Sequence, residues 1–594
     1  MKSFASLLHR VVELVVTAGE MIKADFYRTN GPRGSGETAL VDTEVEEFLR
    51  RELSTLTPNW SIEGEELPYQ RGPDPNYCWV LDPQDGTSAF LRGFRGSSVS
   101  VGLLEKNVPV LGVVHAPLYP NDRGDMICGA RGVGLFRNGI KQLRKASTQK
   151  LSAADVVAVS QDADHKVEYN LETLTPARYL ALPSVAYRLA LAAVGEVRAG
   201  MSLAPLRTLD IAAGHALLSL SGRALQQLGR TDDPSVRYDS QSGIHGVIGG
   251  DSQAVAELTP WRWERFGPKA GTPLTTPSHR LKCSGLALSR AQGCLLGQLA
   301  GDSLGSLVEF QSEARIRQSG VCLDALVDGG TWNTLAGQAT DDSEMSLALA
   351  RQLLRDGGFQ TENVRGAYSR WLKSRPFDVG NTVREGILGN PNPSSQANGS
   401  LMRCSPLGLA FTVDQLEHIA PQESALTHVH SLCCECCLVF TQTISRAVEG
   451  FTAKEAFEEA TNSASDEVKA LLEASRSAPP AEFQHQMGWI TIAFTNAFYH
   501  LYHETPLVEA VVGTVQKGGD TDTNAAIVGA LLGAFQGYQS LPAQWRNSIL
   551  SCRPHQFNKA SQQPRPLEYW PVDVLVLAEQ LVSLRKNSAQ NATF

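Results

Sequence analysis

Apolar positions follow two different rhythms along the chain. Before residue 260, short strand-like runs alternate with helical stretches; beyond residue 280, helical spacing takes over. Leu7, Leu8, Val11, Val12 and Val15 recur at intervals of three and four around His9, Arg10 and Glu13, which predicts an amphipathic helix. Residues 77–81, 97–104, 109–115 and 156–160 carry the alternation or β-branched content of strands. Residues 43–53, with acids in the first turn, and 185–194 read as helices. In the second half, 345–356, 431–448, 453–475 and 523–538 have helical periodicity and convincing strands are few, so that half reads as all-α.

At 594 residues the chain exceeds what one hydrophobic core serves, and several domains are expected. Residues 259–282 contain four prolines, two glycines and several basic residues, a linker composition, with Trp261 and Trp263 suited to docking on a domain. The expected division is therefore 1–258, a linker 259–282, and 283–594. A net charge of −9 leaves no basic footprint, so no stable nucleic-acid binding is expected. Eleven scattered cysteines do not form a disulfide framework and fit a reducing cytosol. The CCECC run at 433–437 lacks metal-knuckle spacing and reads as small buried residues of a packed helix. No signal peptide is visible, and the longest apolar run, 525–535, is far short of the ~20 residues of a membrane span. The expected location is the cytoplasm, with no membrane partner.

The densest chemistry in the first half is Trp79-Val80-Leu81-Asp82-Pro83-Gln84-Asp85-Gly86-Thr87. A short apolar strand ends in two aspartates on a turn shaped by Pro83 and Gly86, where carboxylates can converge on a hard cation. Gly64-Glu65-Glu66 and Asp42 lie upstream, and Leu209-Asp210-Ile211-Ala212-Ala213-Gly214 downstream, with Asp210 at a helix start.

This set, in this order, resembles the inositol monophosphatase and bisphosphate nucleotidase superfamily over residues 1–258. The resemblance implies an α/β layered sandwich (αβαβα) and a phosphatase using two or three Mg²⁺ ions on a small phosphate monoester, a nucleotide or an inositol phosphate. It implies that Glu65, Asp82, Asp85, Asp210 and the Gln84 carbonyl bind metal, and that Asp42 serves a third, weaker position. Thr87 would position the attacking water, with Glu66 nearby. Leu209 stands where the family has tryptophan, and Ser88-Ala89-Phe90 matches neither branch, so the ester stays open.

The second half carries three motifs. Gly293, Gly297, Gly301 and Gly305 put a smooth stripe on one helix and permit close approach of another; close packing does not explain Asp302 or Glu309. Thr340-Asp341-Asp342-Ser343-Glu344 opens a helix, where the dipole favours acids. Gly518-Gly519-Asp520-Thr521-Asp522-Thr523 stands at another loop-to-helix junction and lacks the later glycine and glutamate of an EF-hand.

With Asn398-Gly399-Ser400 and Thr427-His428, these motifs resemble the ADP-ribosylglycohydrolase family over about 284–590. The resemblance implies two Mg²⁺ or Mn²⁺ ions bound by Thr340, Asp341, Asp342, Asp520, Asp522 and Thr523. Glu309 falls where the family has a glutamate near the scissile bond, and Asn398, Gly399 and His428 would contact ADP-ribose. The implied substrate is ADP-ribose on a protein, a nucleic acid or a small molecule, cleaved at the ribosyl C1″ bond. Two alternatives stand beside this bifunctional reading. Both halves process one phosphorylated ADP-ribose-type nucleotide, or one half is a non-catalytic ADP-ribose-binding module.

Overall fold

The computed structural model describes residues 4–143, 145–228, 235, 236, 238, 244–260 and 285–591. Contacts divide the chain into two units, Met1–Arg280 and Leu281–Phe594. Residues 261–282 of the expected linker, including Trp261 and Trp263, lie outside the described residues.

In the first unit the N-terminal apolar stripe continues through one helix, Ala5–Phe26, burying Leu8, Val11, Val15, Ala18, Ile22 and Phe26. Beside it packs the helix Leu40–Leu56. Both cover one face of a seven-stranded sheet, ordered Trp60–Gly64, Asp74–Asp85, Ser98–Glu105, Val108–Ala116, Asp125–Ala130, Gly134–Arg137 and Ile140–Lys141. Its first pair is parallel and the rest antiparallel. Trp79 and Leu81 join the core under those two helices, while Val80 packs with Leu104, Leu209 and Ala212 on the opposite face. A strand buried on both sides has to be apolar at consecutive positions, which is why 77–81 reads as an unbroken run.

The opposite face is covered by two helices, Val185–Ala193 and Thr208–Leu220, which also pack on a second, five-stranded sheet. That sheet runs Arg178–Leu182, Val156–Ser160, Ala199–Ser202, Val247–Gly250, Ala224–Gln227, with the first three strands parallel. The helices Val167–Leu174 and Ser252–Leu258 share a core with its outer face. The layers alternate helix, sheet, helix, sheet, helix.

The second unit is helical. Among its described residues it has isolated bridges but no extended strand. Its centre is a pair of helices, Gly285–Gly305 and Thr521–Gln536, running in opposite directions. A Cβ added at Gly293, Gly297 or Gly301 would come closer than 3.0 Å to the backbone of Gly533, Gly529 or Ala525. The glycine stripe thus meets a second small-residue stripe, and Gly305 ends up against Thr521 and Asp522.

One expected helix, 453–475, is two: Ala453–Ser463 and Asp466–Ser475. Ser465 interrupts it, its amide and hydroxyl both donating to Glu435 at 2.7 Å, while Asp466 and Glu467 start a fresh first turn. Serines and an asparagine at the break offer the backbone such alternatives. In the helix Ser431–Glu449, Cys433, Cys436 and Cys437 are buried, and burial pushes the Cys433 thiol up to about 12. No described helix is long and apolar enough to cross a membrane.

Candidate active sites

Four acids of the first unit meet where the strand Asp74–Asp85 ends. Strand alternation puts Asp82 on the same face as Val80, toward the helix Thr208–Leu220. Asp210 sits in that helix's first turn and accepts from the Arg207 amide at 2.7 Å. Asp85 is fixed from the other side, accepting from the Ser184 hydroxyl and the Ala186 amide, both at 2.6 Å. Glu65 follows the neighbouring parallel strand and pairs with Arg207 at the rim.

Burial, then the charges of Asp85, Glu65 and Asp210, push Asp82 well above the carboxylate range. Burial likewise raises Asp85 to about 6 and Asp210 to about 7, against their backbone and hydroxyl donors. Asp42 reaches the cluster from the first turn of the helix Leu40–Leu56, and burial lifts it to about 7. Its Oδ2 lies 2.9 Å from Thr87 Oγ1, which is also 2.8 Å from the Gln84 carbonyl oxygen. Glu66 is raised by burial and by Glu65, and its amide donates to Glu46. Gly86, at φ 97°, takes the left-handed turn that delivers Thr87 to this point. Buried oxygens facing one another, with Asp42 Oδ1 lacking any hydrogen-bond partner among the described residues, make a donor set suited to hard divalent cations.

In the second unit the glycine-packed helix pair draws the other acids together. Asp302, near the end of Gly285–Gly305, accepts from the Thr340 amide at 3.1 Å, the Thr340 hydroxyl at 2.9 Å and the Ser343 amide at 3.1 Å. An acid of one helix therefore caps the start of another, Asp341–Asp356. This holds Asp341 and Asp342 in place, and burial raises Asp302 to about 7. Asp520 and Asp522 come from the start of Thr521–Gln536, where Thr521 donates to the Gly305 carbonyl at 2.7 Å. The Thr523 amide donates to Asp522 at 2.9 Å.

Asp341, Asp342 and Asp522 are all pushed well above their ordinary range by burial first and neighbouring carboxylates second. Asp342 Oδ1 is buried without a hydrogen-bond partner among the described residues. Again the donors are oxygens crowded for a hard cation. Asn398 donates to Asp520 at 2.7 Å. Gly399 packs on His428, where a Cβ would come to 3.0 Å of the ring. Burial, helped by Arg403, lowers His428 to about 3.

Asp378 is absent from the motifs, yet one carboxylate oxygen each from Glu309, Asp378 and Asp522 lie within 4.8 Å of one another. Burial and Asp378 raise Glu309 to about 8, and the Trp332 indole donates to its Oε2 at 2.5 Å. Glu344, beside the motif aspartates in sequence, turns away. It is buried against Arg565, at 2.7 and 2.8 Å, and the Trp371 indole at 2.8 Å.

Residues 284–588 match the family model of the ADP-ribosylglycohydrolases, and residues 5–246 that of the inositol monophosphatase family. The first match covers just over half of the chain. The chain belongs to the ADP-ribosylglycohydrolase family. An inositol monophosphatase domain is fused ahead of the family domain, and both are hydrolase families. The ADP-ribosyl-(dinitrogen reductase) glycohydrolase of Rhodospirillum rubrum is 32% identical over 273 residues, which are 44% of this chain and 90% of that protein. Inositol monophosphatase 3 of Solanum lycopersicum is 32% identical over 160 residues, 26% of this chain and 57% of that protein, so the match spans little more than half of it. Among solved structures, the extragenic suppressor protein suhB of Bartonella henselae aligns with a TM-score of 0.36 at 21% identity, over 43% of this chain and 97% of that one.

Proposed function

We propose that the two units are independent metal-dependent hydrolases: the first hydrolyses a small phosphate monoester, the second releases ADP-ribose by breaking its ribosyl C1″ bond. The supporting observation is that each unit gathers its own buried carboxylate cluster where strand or helix ends converge. The R. rubrum relative, named for ADP-ribosyl chemistry, favours the second activity, and the tomato relative the first.

In the first unit, Glu65, Asp82, Asp85, Asp210 and the Gln84 carbonyl would hold Mg²⁺, with Asp42 at a further position. The ions supply charge neutralisation of the phosphate and an acidified water. Thr87 Oγ1, between Asp42 and Gln84, orients the attacking water, and Glu66 lies beside it. Water adds its oxygen to phosphorus, the ester P–O bond breaks, and a proton passes to the departing alkoxide.

In the second, Thr340, Asp341, Asp342, Asp520, Asp522 and Thr523 would hold two Mg²⁺ or Mn²⁺ ions. Ions held there would supply positive charge that orients the ribose and eases cleavage of its C1″ bond. Trp332 donates to Oε2 of Glu309 and fixes that carboxyl beside Asp378 and Asp522, where it would exchange a proton with water or the leaving group. Asn398 holds Asp520 in position, and the buried His428 ring, packed against Gly399, backs the wall against which ADP-ribose would sit.

The test is a substrate panel on the purified chain, stripped with EDTA and then given Mg²⁺ or Mn²⁺. ADP-ribosylated arginine and serine peptides report one activity, and a set of phosphate monoesters the other. Metal-restored turnover of at least one member of each set is expected. No turnover of any ADP-ribosyl substrate despite bound metal would overturn the second assignment.

A further inference from the structure

Phe310, the residue after Glu309, holds a backbone angle that its own side chain resists. Its φ of 64° lies in the left-handed region, where a bulky residue is an outlier. Such a conformation persists only where the surroundings over-determine it, and it concentrates at functional sites. Here the brace is the loop that bears Asp520. The Phe310 amide donates to the Gly519 carbonyl at 2.9 Å, and the Gly519 amide donates to the Gln311 carbonyl, also at 2.9 Å. The strained turn is thereby tied to the backbone of the acid cluster itself.

The strain does not serve the core, because the Phe310 side chain is turned outward and the residue is 57% exposed. Its ring meets Trp332 edge to face, with centroids 6.4 Å apart, and Trp332 meets Phe377 at 5.9 Å. Each outer ring is the sequence neighbour of an acid: Phe310 follows Glu309, and Phe377 precedes Asp378. The central ring, Trp332, donates to Glu309. Three aromatic rings therefore rim the carboxyls of Glu309 and Asp378, and Phe310 is the one most open to solvent.

The acid cluster has two unlike sides. Asn398 meets Asp520 on the side where ADP-ribose would sit, and the rings stand at Glu309 and Asp378. With ADP-ribose on the first side and its C1″ carbon at the acids, the group departing from C1″ lies over the rings. An aromatic face attracts a cation, and a planar guanidinium also stacks on it. Ionised carboxyls beside the rings favour positive charge in the same place. A neutral hydroxyl-bearing side chain gains from neither. We propose that Phe310 is a specificity-determining residue of the second unit, a platform on which a flat cationic leaving group, the guanidinium of a modified arginine, lies as it departs. The proposal rests on the hydrolase reading above and gives a residue to the leaving-group side, which that reading leaves open.

The experiment uses the full chain with Mg²⁺ and one peptide ADP-ribosylated either on arginine or on serine. Phe310→Gly removes the ring and suits the left-handed backbone, so it should fold with an unchanged or higher melting temperature. Its kcat/KM should fall about tenfold on the arginine peptide and less than about threefold on the serine peptide. Phe310→Tyr, which keeps the ring, should stay close to the unaltered chain on both. ADP-ribose, which lacks the leaving group, should bind all three proteins equally by calorimetry. Four outcomes would overturn the proposal: a preference of the unaltered chain for the serine peptide, equal losses on both peptides, no loss on the arginine peptide, or weakened ADP-ribose binding in Phe310→Gly. If the unaltered chain hydrolyses neither peptide, the hydrolase reading fails and binding decides. The arginine peptide should then bind more tightly than the serine peptide, a difference that Phe310→Gly erases. Equal binding of the two peptides overturns the platform as well.

Discussion

Gly297 and Gly529 stand backbone to backbone across the central helix pair: a Cβ on either would come closer than 3.0 Å to the other's carbonyl oxygen. This contact sets how near Gly305 and Asp302 lie to the loop bearing Asp520 and Asp522. Gly297→Ala or Gly529→Ala should destabilise the second unit by about 1–3 kcal/mol through overpacking. Gly513→Ala, in a helix with open space around it, should be neutral or stabilising by ~0.5–1 kcal/mol. Thermal melts of the three variants check this.

Asp378 completes an acid triad with Glu309 and Asp522. Asp378→Asn should lower ADP-ribosyl hydrolysis or the metal affinity of the second unit on the order of 10–100-fold, the cost of losing a supporting group at a metal site. Phosphate-ester hydrolysis should be unaffected. Metal titration followed by calorimetry, with both assays, measures the effect.

Glu344 shares a motif with Asp341 and Asp342 but belongs to the core, bound to Arg565 and Trp371. Removing one partner of a buried ion pair costs about 3–5 kcal/mol. Glu344→Gln should therefore lower the melting temperature strongly and leave metal affinity per folded molecule unchanged. Loss of metal binding in the folded fraction would contradict this division of roles.

The sequence made the strand ending at Asp85 readable because a strand covered on both faces must be apolar throughout. The TDD and GGDTDT motifs were readable because both stand at helix starts, where local spacing fixes geometry. The glycine stripe announced close helix packing but not its partner, since Gly529 and Gly533 carry weight only once the two helices are antiparallel. Asp378 was not legible: it is a lone acid after Phe377, brought to Glu309 by tertiary folding. Glu344 was ambiguous for the opposite reason, because its neighbours in sequence are not its neighbours in space.

Without metal, the buried acids bind protons more tightly folded than unfolded, with Asp42, Asp210 and Asp302 near 7 and Glu309 near 8. The folded state then holds more protons than the unfolded one from about pH 4, the unfolded carboxylate range, up to about pH 8. Stability of the EDTA-treated chain should fall as pH rises across that window. Added Mg²⁺ should raise the melting temperature more at pH 8 than at pH 6, because it competes with those protons. An equal rise at both values would contradict the acid clusters as the metal sites.

Independence of two carboxylate centres on one chain is tested most directly by assaying Asp82→Asn and Asp341→Asn, each for both activities with Mg²⁺. Asp82→Asn should abolish phosphate-ester hydrolysis and retain ADP-ribosyl hydrolysis, and Asp341→Asn should do the reverse. Either folded variant losing both activities, or losing neither, would contradict it.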